Sequence, residues 1–290
     1  MDGIIIINKP KGFTSHDIIN IARKALNIKK IGHAGTLDPN ATGVLPILIG
    51  NATKISKYLI EHNKEYVATI NFGEKTDTGD SEGVVIEKDE KVTEKLQDIS
   101  IKQLNEVLKT FLGKQNQTPP IYSAIKVNGK KAYEYARQGQ TLKISPREID
   151  IYKIEALTFD NNRLSFKVKC SKGTYIRTLC EDIANKCGTI GYMHDLIRTK
   201  VNEFNLENSI TIEELKNNPR IVEEKIISIE DIFKNKENIE LNERKKELFL
   251  NGVKLTQEKE NGVYRIYCKN QFIGLGIINN NLLKRDVVVI

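Results

Sequence analysis

Long apolar runs are missing from this 290-residue chain, and with them any candidate membrane helix, which needs about 20 mostly apolar residues. The run Ile4 to Ile7 gives way at once to Asn8-Lys9-Pro10. It reads as a strand entering a loop rather than a signal peptide, so the expected location is the cytoplasm. Cysteine is sparse: Cys170, Cys180, Cys187 and Cys268 form no CxxC pair, and a chain of this size needs no disulfide staples, so reduced core thiols are expected. His16, His33, His62 and His194 are scattered without zinc-ligand spacing, and HExxH is absent. Neither a P-loop nor a GxGxxG segment occurs. Chemistry that consumes no nucleotide and uses no metal or redox cofactor fits these absences, and no cofactor is expected. There is also no Gly, Ser or Pro tract, while 39% of residues are hydrophobic and 29% charged. Disorder is thereby excluded in favour of a soluble globular protein.

The formal net charge is +7, which suits an anionic partner. Its distribution is uneven: Ile232 to Ile290 holds 11 Lys+Arg against 7 Asp+Glu, more than half the excess in about a fifth of the chain. Length allows one large domain and one small one. The expected division is a catalytic unit over 1–229 and a second unit over 230–290, with Pro219 and the charged stretch Val222 to Lys225 as linker.

Ile4 to Ile7 and Val44 to Ile49 read as buried strands, and Tyr66 to Phe72 alternates with strand period. Thr14-Ser15-His16-Asp17 can cap a helix through Ile18, Ile21, Ala22 and Ala25, and Asn51 a shorter one. Ser100 with Gln103 forms a capping box for a helix that Gly113 ends. Strands near Ile149 to Phe159 and Leu164 to Cys170 are joined by Asp160-Asn161-Asn162, and Arg177 opens the next helix. After the Ser100 helix and before these strands, residues 115–140 carry Lys126, Lys130, Lys131, Tyr133, Tyr135 and Arg137. That segment is either an RNA-contacting insertion, with lysines on phosphates and tyrosines on bases, or a solvated amphipathic helix after a turn. Near the end, Asn251-Gly252 and Asn261-Gly262 suggest hairpins around the alternating Tyr264 to Tyr267.

The segment from Gly32 to Pro46 concentrates the chemistry. Three glycines open backbone conformations closed to other residues, and Pro39 biases Asp38 toward extended geometry, so a rigid loop presents one carboxylate. An isolated Asp-Pro is more often a turn whose side chain satisfies nearby amides.

The surrounding residues point elsewhere, because Gly32-His33-Ala34-Gly35-Thr36-Leu37-Asp38-Pro39 resembles the motif that carries the catalytic aspartate of the TruB family, the bacterial tRNA pseudouridine synthases. Similar segments occur in order around it: Asn8-Lys9-Pro10 near the start, Asn51 to Lys54 with Lys64-Glu65-Tyr66, Thr76 to Asp80, Gln117 to Ala124 and Lys172 to Arg177, over roughly the first 200 residues. One departure lies at Leu196-Ile197-Arg198-Thr199-Lys200-Val201-Asn202. The family commonly has paired arginines and a later glycine there, so one basic RNA contact is expected to be missing. The last sixty or so residues match only loosely.

The resemblance implies an α/β fold: a mixed-sheet pseudouridine synthase domain followed by a small, mostly β PUA-like domain. It implies isomerisation of the T-arm uridine at position 55 of tRNA, with no guide RNA, no obligate protein partner and no membrane. Asp38 would be the nucleophile, adding to uracil C6 or attacking ribose C1′, or a base at C2′; the residues do not choose. Tyr66 would stack on the flipped base and move the C5 proton, and Arg177 would pair with Asp38 and keep it ionised. His33, which by itself could be acid, base, ligand or stacking group, would contact RNA where the base has left. Tyr175 and Leu196 would line the base pocket, Leu196 being almost equally at home in a core. Lys9 and Lys64 would meet phosphates, and Asp80 would contact substrate or only organise its turn. Three other readings remain: a guide-dependent relative sharing Gly-Thr-Leu-Asp-Pro, a non-catalytic RNA-binding or RNA-folding protein, and glycoside hydrolysis, which lacks an evident second carboxylate.

Overall fold

The computed structural model describes residues 1–290. Strand β1 (Gly3–Lys9) is almost wholly buried, as its four isoleucines require. Thr14 caps α1 (Ser15–Leu26) through a capping box with Asp17, and Asn27 closes it at a φ of 53°. The Asp38 loop runs from β2 (Ile31–His33) to β3 (Thr42–Ile49), which pairs antiparallel with both β2 and β1. A 3-10 turn (Gly50–Ile55) then enters α2 (Ser56–Ile60). Asn51 is not its cap, contrary to the sequence expectation. Its backbone N–H and side-chain amide donate to Asp2 instead, at 2.7 and 3.1 Å.

Burial alternates strictly along β4 (Lys64–Phe72). A short hairpin, β5 (Glu74–Thr76) with β6 (Val85–Lys88), and helix α3 (Val92–Leu96) lead to α4 (Ile101–Lys109), capped as expected by Ser100 and Gln103. This helix stops at Thr110, and Gly113 starts β7 (Gly113–Gln117). Next come β8 (Lys126–Val127), β9 (Lys130–Lys131) and α5 (Ala132–Ala136). Strands β10 (Arg147–Asp160) and β11 (Arg163–Cys170) turn at Asn161-Asn162, both left-handed. Helix α6 (Ile176–Lys186), β12 (Gly191–Val201) and β13 (Phe204–Asn205) complete the unit.

These strands make one mixed sheet in the order β1-β3-β12-β4-β11-β10-β7, with β2 and β13 alongside β3 and β12. Leu104 and Leu108 of α4, and Leu179 and Ile183 of α6, join Ile70, Phe166 and Val168 in its main core. Each such side chain is worth about 1.5–3 kcal/mol when fully buried. The register puts Arg198 of β12 opposite Tyr66 of β4 on one side and Gly43 of β3 on the other, which brings the Asp38 loop to the centre of the sheet.

The charged stretch expected as linker is instead helical. After α7 (Ile212–Asn217), α8 (Ile221–Lys225) buries Val222 completely in the main core, and Ile227 bridges back to Ile4. Helical period outweighs charge density there: the apolar positions face in and Glu223, Glu224 and Lys225 face out. Helix α9 (Ile229–Ile232) leads to a second sheet made of β14 (Asn238–Glu240), β15 (Leu255–Thr256), β16 (Gly262–Cys268), β17 (Gln271–Asn279) and β18 (Leu282–Val288), ordered β14-β16-β17-β18-β15 beside α10 (Glu243–Leu250). Its hairpin turns are Lys269-Asn270 and Asn280-Asn281, all with positive φ. Asn251-Gly252 ends α10, and Asn261-Gly262 only leads into β16, so the Asn-Gly pairs are not the hairpins expected.

The small sheet is docked, not tethered. Leu275 and Val287 share a core with Ile4, Ile6, Leu48, Phe204 and Phe233. At its edge, the Tyr58 hydroxyl donates to Asp286 at 2.5 Å, and Lys57 pairs with the same carboxylate. No helix is long and apolar enough to cross a membrane.

Candidate active site

Five segments converge above the centre of the large sheet: the Asp38 loop, strand β4, strand β12, the chain from Tyr122 to Ala124, and the turn from Ser171 into α6. They enclose a cleft of about 490 Å³. Asp38 lies in it with its side chain 38% exposed.

The loop is braced from three directions. Ser15 of α1 accepts from the Leu37 N–H at 2.9 Å and donates to the Leu37 carbonyl at 3.1 Å. Lys9 of β1 donates to Pro39 O at 3.0 Å. From β12, Arg198 donates to Gly35 O at 2.9 Å, Thr36 O at 3.3 Å and Val44 O at 2.7 Å. Gly43 has a φ of 104°, and a Cβ there would stand 2.2 Å from Arg198 O, so glycine alone lets loop and strand approach this closely.

Arg177, in the first turn of α6, brings its Nε to 3.2 Å from an Asp38 oxygen and its Nη1 to 3.5 Å from Asp80. Its remaining donors go to Thr78 O at 3.2 Å and Tyr122 O at 2.8 Å. The planar fork therefore fixes the carboxylate relative to two other segments at once. Burial raises the Asp38 pKa above the ordinary carboxylate value, and Arg177 is the main influence pulling it back down.

Tyr66, Tyr175 and Leu196 line the same cleft. Burial pushes the Tyr66 phenol up to about 12, so it is protonated at neutral pH. Tyr175 is set by a reciprocal pair with Gln117, which receives its N–H at 2.8 Å and donates to its carbonyl at 3.0 Å. A carboxyl group held by an arginine, a phenol and apolar walls in one cleft suit nucleophilic or basic attack on a small planar group.

The other expected residues fall differently. Lys9 is fully enclosed, its ammonium given to the carbonyls of Pro10, Phe13 and Pro39, so phosphate contact is replaced by a role inside the fold. Lys64 lines the cleft but donates to Ile60 O and His62 O at 2.8 and 2.6 Å, and burial lowers its pKa to about 8. Asp80 accepts from Thr78 Oγ1 at 2.6 Å and from the Glu82 N–H at 3.1 Å; it orders its turn and flanks Arg177. His33 stands on β2 opposite Ile47, outside the residues lining the cleft, with Nδ1 buried and without a partner.

Sequence reasoning missed Arg198 and Ser15. Strand period was the available signal for Arg198: Leu196 and Arg198 lie two apart on β12, so a residue beside the cleft implies the next.

Comparison with known proteins gives the chain its family. Residues 23–176 match the TruB family pseudouridylate synthase N-terminal domain, 177–234 the tRNA pseudouridylate synthase B C-terminal domain, and 238–289 the pseudouridine synthase II TruB C-terminal region. The chain belongs to the TruB family. Proteins named tRNA pseudouridine synthase B from Caldanaerobacter subterraneus and Clostridium tetani are 41% and 43% identical to it, the alignments covering 98% and 95% of both chains respectively. Its fold is also that of a chain in the structure of an H/ACA RNP bound to a substrate RNA containing 2′-deoxyuridine. That match has a TM-score of 0.70 at 22% identity, covering 99% of this chain and 85% of the other. Within this TruB chain, the segment after Leu196 has two local features of note. Ile197 is 40% exposed and carries no charge into solvent. Asn202 adopts a φ of 50°, a conformation asparagine tolerates better than most residues.

Proposed function

We propose that this protein isomerises the T-arm uridine at position 55 of tRNA to pseudouridine, without a guide RNA or an obligate protein partner. The observation that carries the reading is the Asp38 carboxylate, solvent-accessible in a cleft walled by Tyr66, Tyr175 and Leu196 and held by Arg177. A flipped uracil enters the cleft at an unstacking cost of about a few kcal/mol. Asp38 starts the reaction as nucleophile or base, and the N1–C1′ bond breaks. The uracil turns and C5 bonds to C1′. The C5 proton then leaves and N1 gains one, so nothing is consumed. Tyr66 stacks on the base; as a phenol it relays a proton only by giving up its own as it takes another. Names of relatives nearly coextensive with this chain support tRNA as substrate.

Residues 115–140 complete the mouth of the cleft through Tyr122, Ser123, Ala124 and Tyr133 and meet the RNA there. The small sheet, assigned to 230–290, adds phosphate contacts. A non-catalytic RNA-binding protein would have no use for an aspartate held at the centre of the cleft by a buried arginine. The test is incubation of the purified protein with an unmodified tRNA transcript, followed by mapping of pseudouridine. Conversion at the T-arm uridine alone is expected. RNA binding with no conversion would leave the non-catalytic reading standing.

A further inference from the structure

Arg198 is only 1% exposed, yet it makes no ion pair with any carboxylate. Isolating a charge in this way is costly and persists only where surrounding dipoles compensate it. Here the compensation comes from the carbonyls of Gly35 and Thr36, before Asp38 in the loop, and of Val44, after it in β3. The Arg198 main chain pairs with Gly43 of β3 and with Tyr66 of β4. Its guanidinium also lies against the Tyr66 hydroxyl and lines the cleft. One side chain thus touches the loop that carries the carboxylate and the tyrosine facing it across the cleft.

Resting on the function proposed above, we infer that Arg198 is a positioning residue, which sets the distance between the Asp38 loop and Tyr66 and adds positive charge on the cleft side of the carboxylate. A planar fork suits this task because it meets several carbonyls in fixed directions. Lysine delivers one point charge and cannot span all three. The charged and titratable groups around Asp38 are Arg177, Asp80, Lys9 and Arg198. Arg177 is shared between Asp38 and Asp80, whereas Lys9 and Arg198 are both held by main-chain carbonyls, and of these two only Arg198 lines the cleft.

The test uses the full-length protein with Arg198→Lys and Arg198→Met, and two readouts. The first is single-turnover conversion of bound tRNA alongside tRNA affinity. The second is titration of the Asp38 carboxyl by carbon-13 NMR without RNA, which remains informative should the proposed substrate be wrong. In Arg198→Met the bound-state rate is expected to fall about 100-fold, the order associated with small misplacement of reacting groups, and Asp38 is expected to protonate at higher pH than in the native protein. In Arg198→Lys the rate is expected to fall while the Asp38 titration stays close to native, separating geometry from charge. Folded variants that convert tRNA at the native rate, or an Asp38 titration unmoved in Arg198→Met, would overturn the inference. Failure of both variants to fold would do the same, leaving Arg198 a brace of the fold alone.

Discussion

Arg177 and Asp38 meet at 3.2 Å although they come from separate parts of the chain, one from the start of α6 and the other from the loop between β2 and β3. The arginine is nearly buried, and the carboxylate retains access to the cleft. That asymmetry makes the pair an orienting device: the cation is fixed in protein while the anion still faces a substrate.

Removing Arg177 therefore has a definite sign. Burial already raises the pKa of Asp38 and Arg177 opposes it, so Arg177→Met leaves the carboxylate protonated up to a higher pH. The acid limb of the rate profile is expected to move upward. At neutral pH, turnover is expected to drop about tenfold to a hundredfold, the scale of one lost hydrogen bond to a charged group. A rate profile superimposable on the native one would show that the ion pair does not control the carboxylate.

Tyr66→Phe keeps the ring and removes the hydroxyl. Stacking alone would leave turnover nearly native, whereas proton relay gives a loss of about 10²–10⁴ with tRNA affinity little changed. The larger loss is expected, because the phenol faces the cleft beside the Arg198 guanidinium. Single-turnover rates with separately measured dissociation constants distinguish the two.

Lys9→Met is expected to destabilise the protein by about 1–3 kcal/mol in urea unfolding, since it leaves buried carbonyls without their donor. Affinity for tRNA and its salt dependence should stay native, because the ammonium has no path to a phosphate. A reduced salt slope with unchanged stability would restore the phosphate role expected from sequence.

The small sheet calls for charge reversal rather than truncation, since cutting it away would strip Leu275 and Val287 from the core they share with Ile4 and Ile6. Lys254 and Lys284 are exposed. Reversing both to Glu is expected to weaken tRNA binding and flatten its salt dependence, by about one unit of slope for each phosphate no longer neutralised. The bound-state rate should not change. Unaltered affinity and slope would mean that these lysines do not face the RNA.

What could be read in advance follows a physical pattern. Local signals survived where one residue decides: the Thr14 and Ser100 capping boxes form, and β4 alternates as Tyr66 to Phe72 suggested. The Asp38 loop was conspicuous because its glycines permit close packing that no other residue allows. Signals failed where tertiary structure chooses among locally equivalent options. Asn280-Asn281 supplies the same left-handed turn as an Asn-Gly pair, so composition could not rank them. Val222 looked like part of a charged linker because only Val222 and Ile221 anchor the short helix α8, and the charged residues beside them face out. Lys9 and Arg198 were the hardest: cations are usually exposed, and only the three-dimensional gathering of main-chain carbonyls makes their burial tolerable.

The most direct measurement is conversion of T-arm uridine by Asp38→Asn, with tRNA affinity measured on the same preparation. The substitution keeps size and removes the anionic carboxylate. Turnover is expected to vanish while affinity stays within about tenfold, or roughly 1.4 kcal/mol. Native-like pseudouridine formation by folded, sequence-verified Asp38→Asn protein would contradict the assignment of Asp38 as the group that starts the reaction.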